Sequence, residues 1–326
     1  MNVQEWPGGI VQVKVPLPFS LKWVNSYLIA DADGYTLIDP GLHTAEAVHV
    51  WEEVLERRQI AFSQIRTILL THQHPDHYGL AGWFQQRCGA PVHISADSYA
   101  YAVRLWGEGR TFAGELTALY EQHGMPRQLL AQIAPHLESF VERVSPQPEV
   151  TLLEAGTTIR FGGLTWSLLD APGHAKGQLC LYTPEKQWMF CGDQVLPEIT
   201  PNISVVPGED EDPLQSFLDS LQMLREIEVR LAFPGHREPF ADFGGRIDRI
   251  LAHHVRRLTA IVEMLKERPL TGFEVCQHMF GERIAGNIHN LRFAMSEALA
   301  HLYHLQRKGR IGHQCRTGLV SYFSEN

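Results

Sequence analysis

The chain has 326 residues, 44% hydrophobic and 20% charged, with a formal net charge of −9. That balance allows a sizeable core and a second, smaller domain, excludes a disordered chain, and argues against a surface built wholly for nucleic acid. Five scattered cysteines, Cys88, Cys180, Cys191, Cys276 and Cys315, form no Cys-x-x-Cys pair and fit reduced thiols in the cytoplasm. Neither a signal peptide nor a membrane-spanning stretch is expected.

In chain order, IVQVKV (10–15), NSYLIA (25–30) and YTLID (35–39) are short β-rich runs separated by Pro, Gly and Asp. Amphipathic and strand-like stretches then alternate: a helix over 43–59, TILLT (67–71), a helix over 77–88 and PVHIS (91–95). From 97 to 145 the pattern is helical only. Strands return at VTLLEA, LTWSLLD, GQLCLYT and QWMFCGD, followed by a helix over 213–227 and the strand VRLAFPG. This order predicts two layers of sheet covered by helices on the outside. The last part predicts a helix over 240–266, the segment TGFEVCQHMF, a helix over 290–308 and a hairpin turning near Arg316-Thr317-Gly318. Three helices and a hairpin describe a winged-helix module over 253–326, behind a catalytic domain over 1–252. The module holds ten Lys/Arg and six Asp/Glu, a net of +4, so the remainder of the chain carries −13.

The segment TILLTHQHPDHYGLAGW places His72, His74, Asp76 and His77 between an apolar strand and a helix. Residues i and i+2 of an extended segment face the same way, so His72 and His74 can hold one ion together. Where the chain turns into the helix, Asp76 and His77 swing towards a second ion. Imidazole and carboxylate donors suit zinc, and also iron or manganese. Three further positions follow strands in the same manner: His174 in APGHAKGQ, Asp193 in MFCGDQVL and His236 in LAFPGHREP.

This ordered set, His-x-His-x-Asp-His, Gly-His, Gly-Asp and Pro-Gly-His, resembles the metallo-β-lactamase superfamily over residues 10–240. The resemblance implies an α/β fold, an αββα sandwich, and a site with two divalent metal ions. By it, His72, His74 and His174 hold one ion, while Asp76, His77 and His236 hold the other, with Asp193 bridging. Asp39, in IDPGLHT, matches an early Asp-Pro-Gly turn and would hydrogen-bond a ligand histidine rather than bind metal. True β-lactamases do not normally carry a bridging aspartate at the Asp193 position, and oxygen-reducing diiron members carry Glu where His74 stands. The exosite insertion of the tRNA-processing members is not evident. The donor set looks like that of glyoxalase II and is largely shared by mononuclear iron persulfide dioxygenases. With a short winged helix behind it, the chain resembles the lactamase-β-2-like branch. That branch includes thioesterases acting on polyketide-type acyl carriers and a mitochondrial single-strand endoribonuclease.

The expected reaction is hydrolysis of a small-molecule ester, thioester or lactone by a metal-bridging hydroxide. Asp76 would handle the proton and Asp193 hold the geometry. A phosphodiesterase or endoribonuclease, with nucleic acid on the winged helix, is the alternative, and persulfide oxidation a third reading. No Gly-x-Ser-x-Gly elbow competes. The helical insertion at 97–145 reads as a cap over the metal mouth. In it Trp106, Phe112, Tyr120 and Met125 are candidates for an acyl pocket, and Arg104 or Arg110 for meeting a carboxylate or phosphate. Lys176 is a further substrate-binding candidate. Each aromatic taken singly reads rather as helix-hairpin packing, and only the insertion as a unit reads as controlling substrate size. His253 and His254 read as members of a structural helix, and the module could also serve a homodimer.

Overall fold

The computed structural model describes residues 2–324. Seven strands form the first sheet in simple chain order: β1 (Val3–Trp6), β2 (Ile10–Pro16), β3 (Trp23–Asp31), β4 (Gly34–Ile38), β5 (Ile65–Leu69), β6 (Val92–Ser95) and β7 (Val150–Leu153). The first four run as an antiparallel meander joined by short turns, and β4 to β7 are parallel. Parallel neighbours need long crossovers, and helices supply them. α1 (Ala45–Arg57) joins β4 to β5; α2 (Pro75–Tyr78) and α3 (Ala81–Cys88) join β5 to β6. The helical insertion, α4 (Ala96–Trp106), α5 (Phe112–Gln122) and α6 (Arg127–Glu138), joins β6 to β7.

The second sheet holds β8 (Thr158–Phe161), β9 (Leu164–Asp170), β10 (Leu179–Thr183), β11 (Trp188–Gly192) and β12 (Leu231–Pro234), with β8 and β12 at its edges. Only β11 and β12 are parallel, and α7 (Pro213–Arg225) connects them. Strand alternation sends one set of side chains between the sheets and the other beneath the helices. Tyr27, Ile29, Ile38 and Leu69 of the first sheet meet Trp166, Leu168, Phe190 and Phe233 of the second. Leu28, Leu37 and Ile68, pointing the other way, pack with Trp51 of α1 and Phe84 of α3. The helix–sheet–sheet–helix arrangement follows from this two-sided burial.

The rest of the chain forms α8 (Phe243–Leu265), β13 (Leu270–Thr271), α9 (Gly272–Phe280), α10 (Ile288–Arg307) and the hairpin β14 (Ile311–Arg316) and β15 (Leu319–Ser324), its three strands in the order β13-β15-β14. The hairpin turn holds Thr317 at φ 50° and Gly318 at φ 83°, left-handed positions that suit a two-residue hairpin turn. The expected boundary at 252 falls inside α8, which is continuous.

Three strands have no counterpart in the sequence reading, the two-residue β13 and two longer ones. Both β1 (VQEW) and β8 (TIRF) are four-residue edge strands with only weak apolar alternation, as edges commonly are. The helix expected over 77–88 divides into α2 and α3. Pro75 at the first helical position of α2 starts it two residues earlier.

Candidate metal centre

Every one of the seven candidate donors lies just beyond the C-terminal end of a strand or on the short helix that follows. The chain leaves β5 through Thr71, runs extended over His72–His74 and turns at Pro75 into α2, which carries Asp76 and His77. His174 follows β9, Asp193 follows β11 and His236 follows β12. Because these strands end on the same edge of the sandwich, donors separated by up to 164 positions, from His72 to His236, converge.

The donor atoms cluster tightly. His72 Nε2 lies 3.0 Å from His74 Nδ1. Asp193 places Oδ1 3.4 Å from His77 Nε2, and Oδ2 3.6 Å from His174 Nε2 and 3.3 Å from His236 Nε2. Asp76 Oδ2 lies 3.2 Å from His236 Nε2 and 4.0 Å from His77 Nε2. Three overlapping groups could each hold a cation, with donor atoms within 4.8 Å of one another: His72, His74 and His174; His72, His77 and Asp193; Asp76, His77 and His236.

The far side of four of the five rings is tied down. His77 Nδ1 donates to Asp39 Oδ2 at 2.9 Å, His174 Nδ1 to the Asn202 carbonyl at 2.8 Å and His236 Nδ1 to the Trp23 carbonyl at 3.0 Å. Asp39 also accepts from the Thr71 N–H at 2.8 Å and the Thr71 hydroxyl at 2.6 Å. Thr71 Oγ1 in turn meets His72 Nδ1 at 3.0 Å. One buried carboxylate therefore orients two histidines, one directly and one through threonine, leaving their Nε2 lone pairs aimed inward. Asp39 sits at φ 50°, a left-handed conformation that Asp tolerates better than most residues. A Cβ on Gly235 would lie 2.2 Å from Asp193 Oδ1 and 2.6 Å from His77 Cε1, so only glycine admits the His236 loop this close to the cluster.

A set of polar atoms this deeply buried should be satisfied, yet His77 Nε2, His174 Nε2 and Asp193 Oδ1 have no hydrogen-bond partner. Lone pairs facing one another across 3 to 4 Å with nothing between them fit cations, and the imidazole–carboxylate chemistry suits divalent ones. The acid–base pattern agrees. Burial, then His77 and His74, hold His72 well below the usual histidine range. Burial and then His174 bring His74 down to about 3. Burial also opposes charge on His236, but Asp193 and Asp76 outweigh it and lift that ring to about 10. His77 is raised likewise against burial by Asp193, Asp39 and Asp76. The same carboxylates that favour protons on these rings would favour a divalent cation, which competes with protons for the nitrogens.

Beside the donors opens a cavity of about 290 Å³. Its floor is His74, Asp76, His174, Asp193 and His236; Phe19 and Leu21 flank one side. Tyr101, Leu105, Trp106, Phe112 and Leu116 line it from the helical insertion, and His289, Arg292 and Phe293 from α10. Trp106 and Phe112 thus line the cavity, whereas Tyr120 and Met125 are packed in the core. Arg104 and Arg110, expected as substrate-binding candidates, do not line the cavity. Arg104 is bound to Glu115, Glu209 and the Pro207 carbonyl, and Arg110 to Glu138. Lys176 does line the cavity, paired with Glu209 at 2.8 Å. Cys191 is buried with its thiol against the Val195 carbonyl, a packing residue. His254 lies on α8 away from the donors, bonded to His301 at 3.1 Å. Sequence reasoning missed the α10 wall, because polar residues at a helix start read as ordinary capping, and Thr71, whose role depends on Asp39 thirty-two positions away.

Comparison with known proteins agrees with this geometry. Residues 24–236 match the family model described as the metallo-beta-lactamase superfamily, and residues 258–325 match that described as the metallo-beta-lactamase-like C-terminal domain. The crystal structure of a metallo-beta-lactamase family protein from Thermus thermophilus superposes with a TM-score of 0.86 at 34% identity, covering 97% of this chain and 99% of that one. The Bacillus subtilis protein YqjP, named a probable metallo-hydrolase, is 28% identical over 304 residues, 90% of this chain and 91% of its own. A Cryptosporiopsis protein named atrochrysone carboxyl ACP thioesterase dmxR1 is 24% identical over 324 residues, 94% of this chain and 82% of its own. With the family model spanning most of the chain and the donors gathered at one edge of the sandwich, the chain belongs to the metallo-beta-lactamase superfamily and is a metal-dependent hydrolase.

Proposed function

We propose that the chain hydrolyses a small acyl ester, thioester or lactone at a dinuclear centre, and the observation that carries this reading is the seven-donor cluster opening onto a largely apolar cavity. His72, His74 and His174 would hold one ion, and Asp76, His77 and His236 the other. Asp193, within 3.6 Å of the His77, His174 and His236 nitrogens, would serve both. Zinc suits this donor set best, with iron or manganese as alternatives. Bound there, such ions lower the pKa of water towards neutrality and polarise an acyl oxygen.

The protein's own residues do the rest. Asp39 and Thr71 hold His77 and His72 in the tautomer that presents Nε2. Asp76 faces the cavity as a carboxylate, pushed below its usual range against burial by His77 and His236, and is positioned to accept a proton from an attacking water. The aromatic and aliphatic walls take the acyl group and exclude bulk solvent. The thioesterase named among the relatives supports an acyl substrate. Against nucleic acid counts the placement of α10, which forms part of the cavity wall. All five cysteines are free, which supports a reducing compartment such as the cytoplasm; no helix among the described residues is long and apolar enough to cross a membrane.

The test is a substrate panel with metal content measured in parallel: an acyl thioester, a lactone, a phosphodiester and single-stranded RNA. Metal-dependent turnover of the thioester or lactone is expected, lost on chelation. Turnover of RNA alone would overturn the reading.

A further inference from the structure

On the α10 wall of the cavity sits a cation that no side chain among the described residues neutralises. Arg292 lines the cavity beside His289, Asn290 and Phe293. Its guanidinium lies over the Phe293 ring, 3.9 Å from the centroid, which orients its plane. Its Nε is buried without a hydrogen-bond partner, and among the described residues no carboxylate forms an ion pair with it. Arg143, outside the cavity lining, lies over the Phe19 and Phe140 rings, whereas the basic groups on the other side are matched. Lys176 pairs with Glu209 at 2.8 Å, and Arg104 pairs with Glu209 at 2.9 Å and with Glu115. His289, stacked on Phe19 with 4.1 Å between ring centroids, is held at about 3 by burial and then by Arg292, and so is neutral at physiological pH. Burial also lowers Arg292 from the ordinary guanidinium value. A partly desolvated charge without a partner costs free energy, and an anionic ligand reverses that cost.

We propose that Arg292 recognises a carboxylate on the acyl portion of the substrate, making the preferred substrates half-esters or half-thioesters of dicarboxylic acids. A planar guanidinium matches a carboxylate by two parallel hydrogen bonds. One unpaired cation on the cavity lining suits a monoanion, whereas a phosphate dianion would call for a second unpaired cation there. The cavity volume of about 290 Å³ suits a short acyl chain rather than a polymer. The assignment rests on the acyl-hydrolase reading for the identity of the scissile end, but the anion site can be tested without turnover.

Metal-loaded wild type, Arg292→Gln and Arg292→Lys are titrated by calorimetry with glutarate and with valerate. Both acids can present one carboxylate to the metal centre, and only glutarate carries a second. The wild type is expected to bind glutarate at least about tenfold more tightly than valerate, the range of a charge-assisted hydrogen bond. Arg292→Gln should bring that ratio near one, and Arg292→Lys should keep part of it, which separates loss of charge from loss of fold. A wild-type ratio near one, or a ratio unchanged in Arg292→Gln, overturns the proposal. So does inorganic phosphate that binds the wild type more tightly than glutarate and is weakened by Arg292→Gln. Should the binding result hold while no acyl substrate is hydrolysed, the acyl-substrate reading falls and the anion site stands.

Discussion

Two buried groups of histidines sit in this molecule, and their surroundings separate them. At the sandwich edge, His72, His74, His77, His174 and His236 meet three carboxylates, Asp39, Asp76 and Asp193. Between α8 and α10, His254 and His301 pair at 3.1 Å, and His301 Nδ1 donates to the Glu297 carbonyl at 2.8 Å. The groups facing that pair are His253, Arg257 and His304. Arg257 is itself bound to Glu297, and His304 to Asp212. Burial, with those neighbours, holds His254 at about 2 and His301 at about 3. The first group faces its unsatisfied nitrogens with carboxylates; the second, in which His254 Nε2 is also without a partner, has no carboxylate between its two rings. Clustering of histidine, or an orphaned nitrogen, says little by itself: carboxylates facing the free nitrogens mark the site.

The strongest way to break this contrast is by metal content and turnover. Asp76→Ala should lower turnover of the acyl substrate by roughly 100- to 10,000-fold, the range of a lost acid–base group. His77→Ala should lose metal by elemental analysis, and His254→Leu should retain the full complement. Metal loss in His254→Leu would erase the distinction between the groups.

Asp39 touches no substrate and acts through His77 and Thr71. Asp39→Ala should reduce metal affinity or activity by roughly 10- to 100-fold, measured by chelator competition, while the chain still folds.

The His254–His301 pair should appear in stability rather than activity. Both folded-state values lie below the unfolded value of about 6.5, so below that pH the unfolded chain binds protons that the folded chain does not. Their stabilising contribution is full above about pH 6.5 and is lost as pH falls towards 3, at up to about 1.4 kcal/mol per pH unit for each histidine. Urea unfolding at pH 7, 6, 5 and 4 measures the slope, and His301→Leu should lower it by about one such increment. An unchanged slope would mean that the pair titrates normally.

The smallest expected effect tests how α10 is held against the insertion. Tyr120 Oη donates to the Arg292 carbonyl at 2.8 Å and lies 2.6 Å from Ser296 Oγ. Tyr120→Phe should cost about 1 kcal/mol in urea unfolding, with a modest loss of acyl turnover through the displaced wall.

Much of this molecule is readable residue by residue. The donors announce themselves because each follows an apolar strand within a few positions, and alternation places β2, β3 and β4 close to their observed bounds. Short edge strands such as β1 and β8 carry too little alternation to show. The arginines illustrate the limit. Arg104 and Arg110 stand in the insertion and look available, yet Glu209 and Glu138 claim them from 105 and 28 positions away. Arg292 looks like one more basic residue in a helix, and its significance lies in the lack of a partner, which no local pattern encodes.

The sandwich, the order of the candidate donors and the helical insertion are legible in the sequence, because strand alternation and the spacing of residue types are local properties of the chain. Only the tertiary structure decided which charges are neutralised, which aromatics line the cavity, and that the C-terminal segment completes its wall. Those outcomes depend on ion pairing and packing between distant segments, and the energy of each is set by what lies within a few ångströms in space.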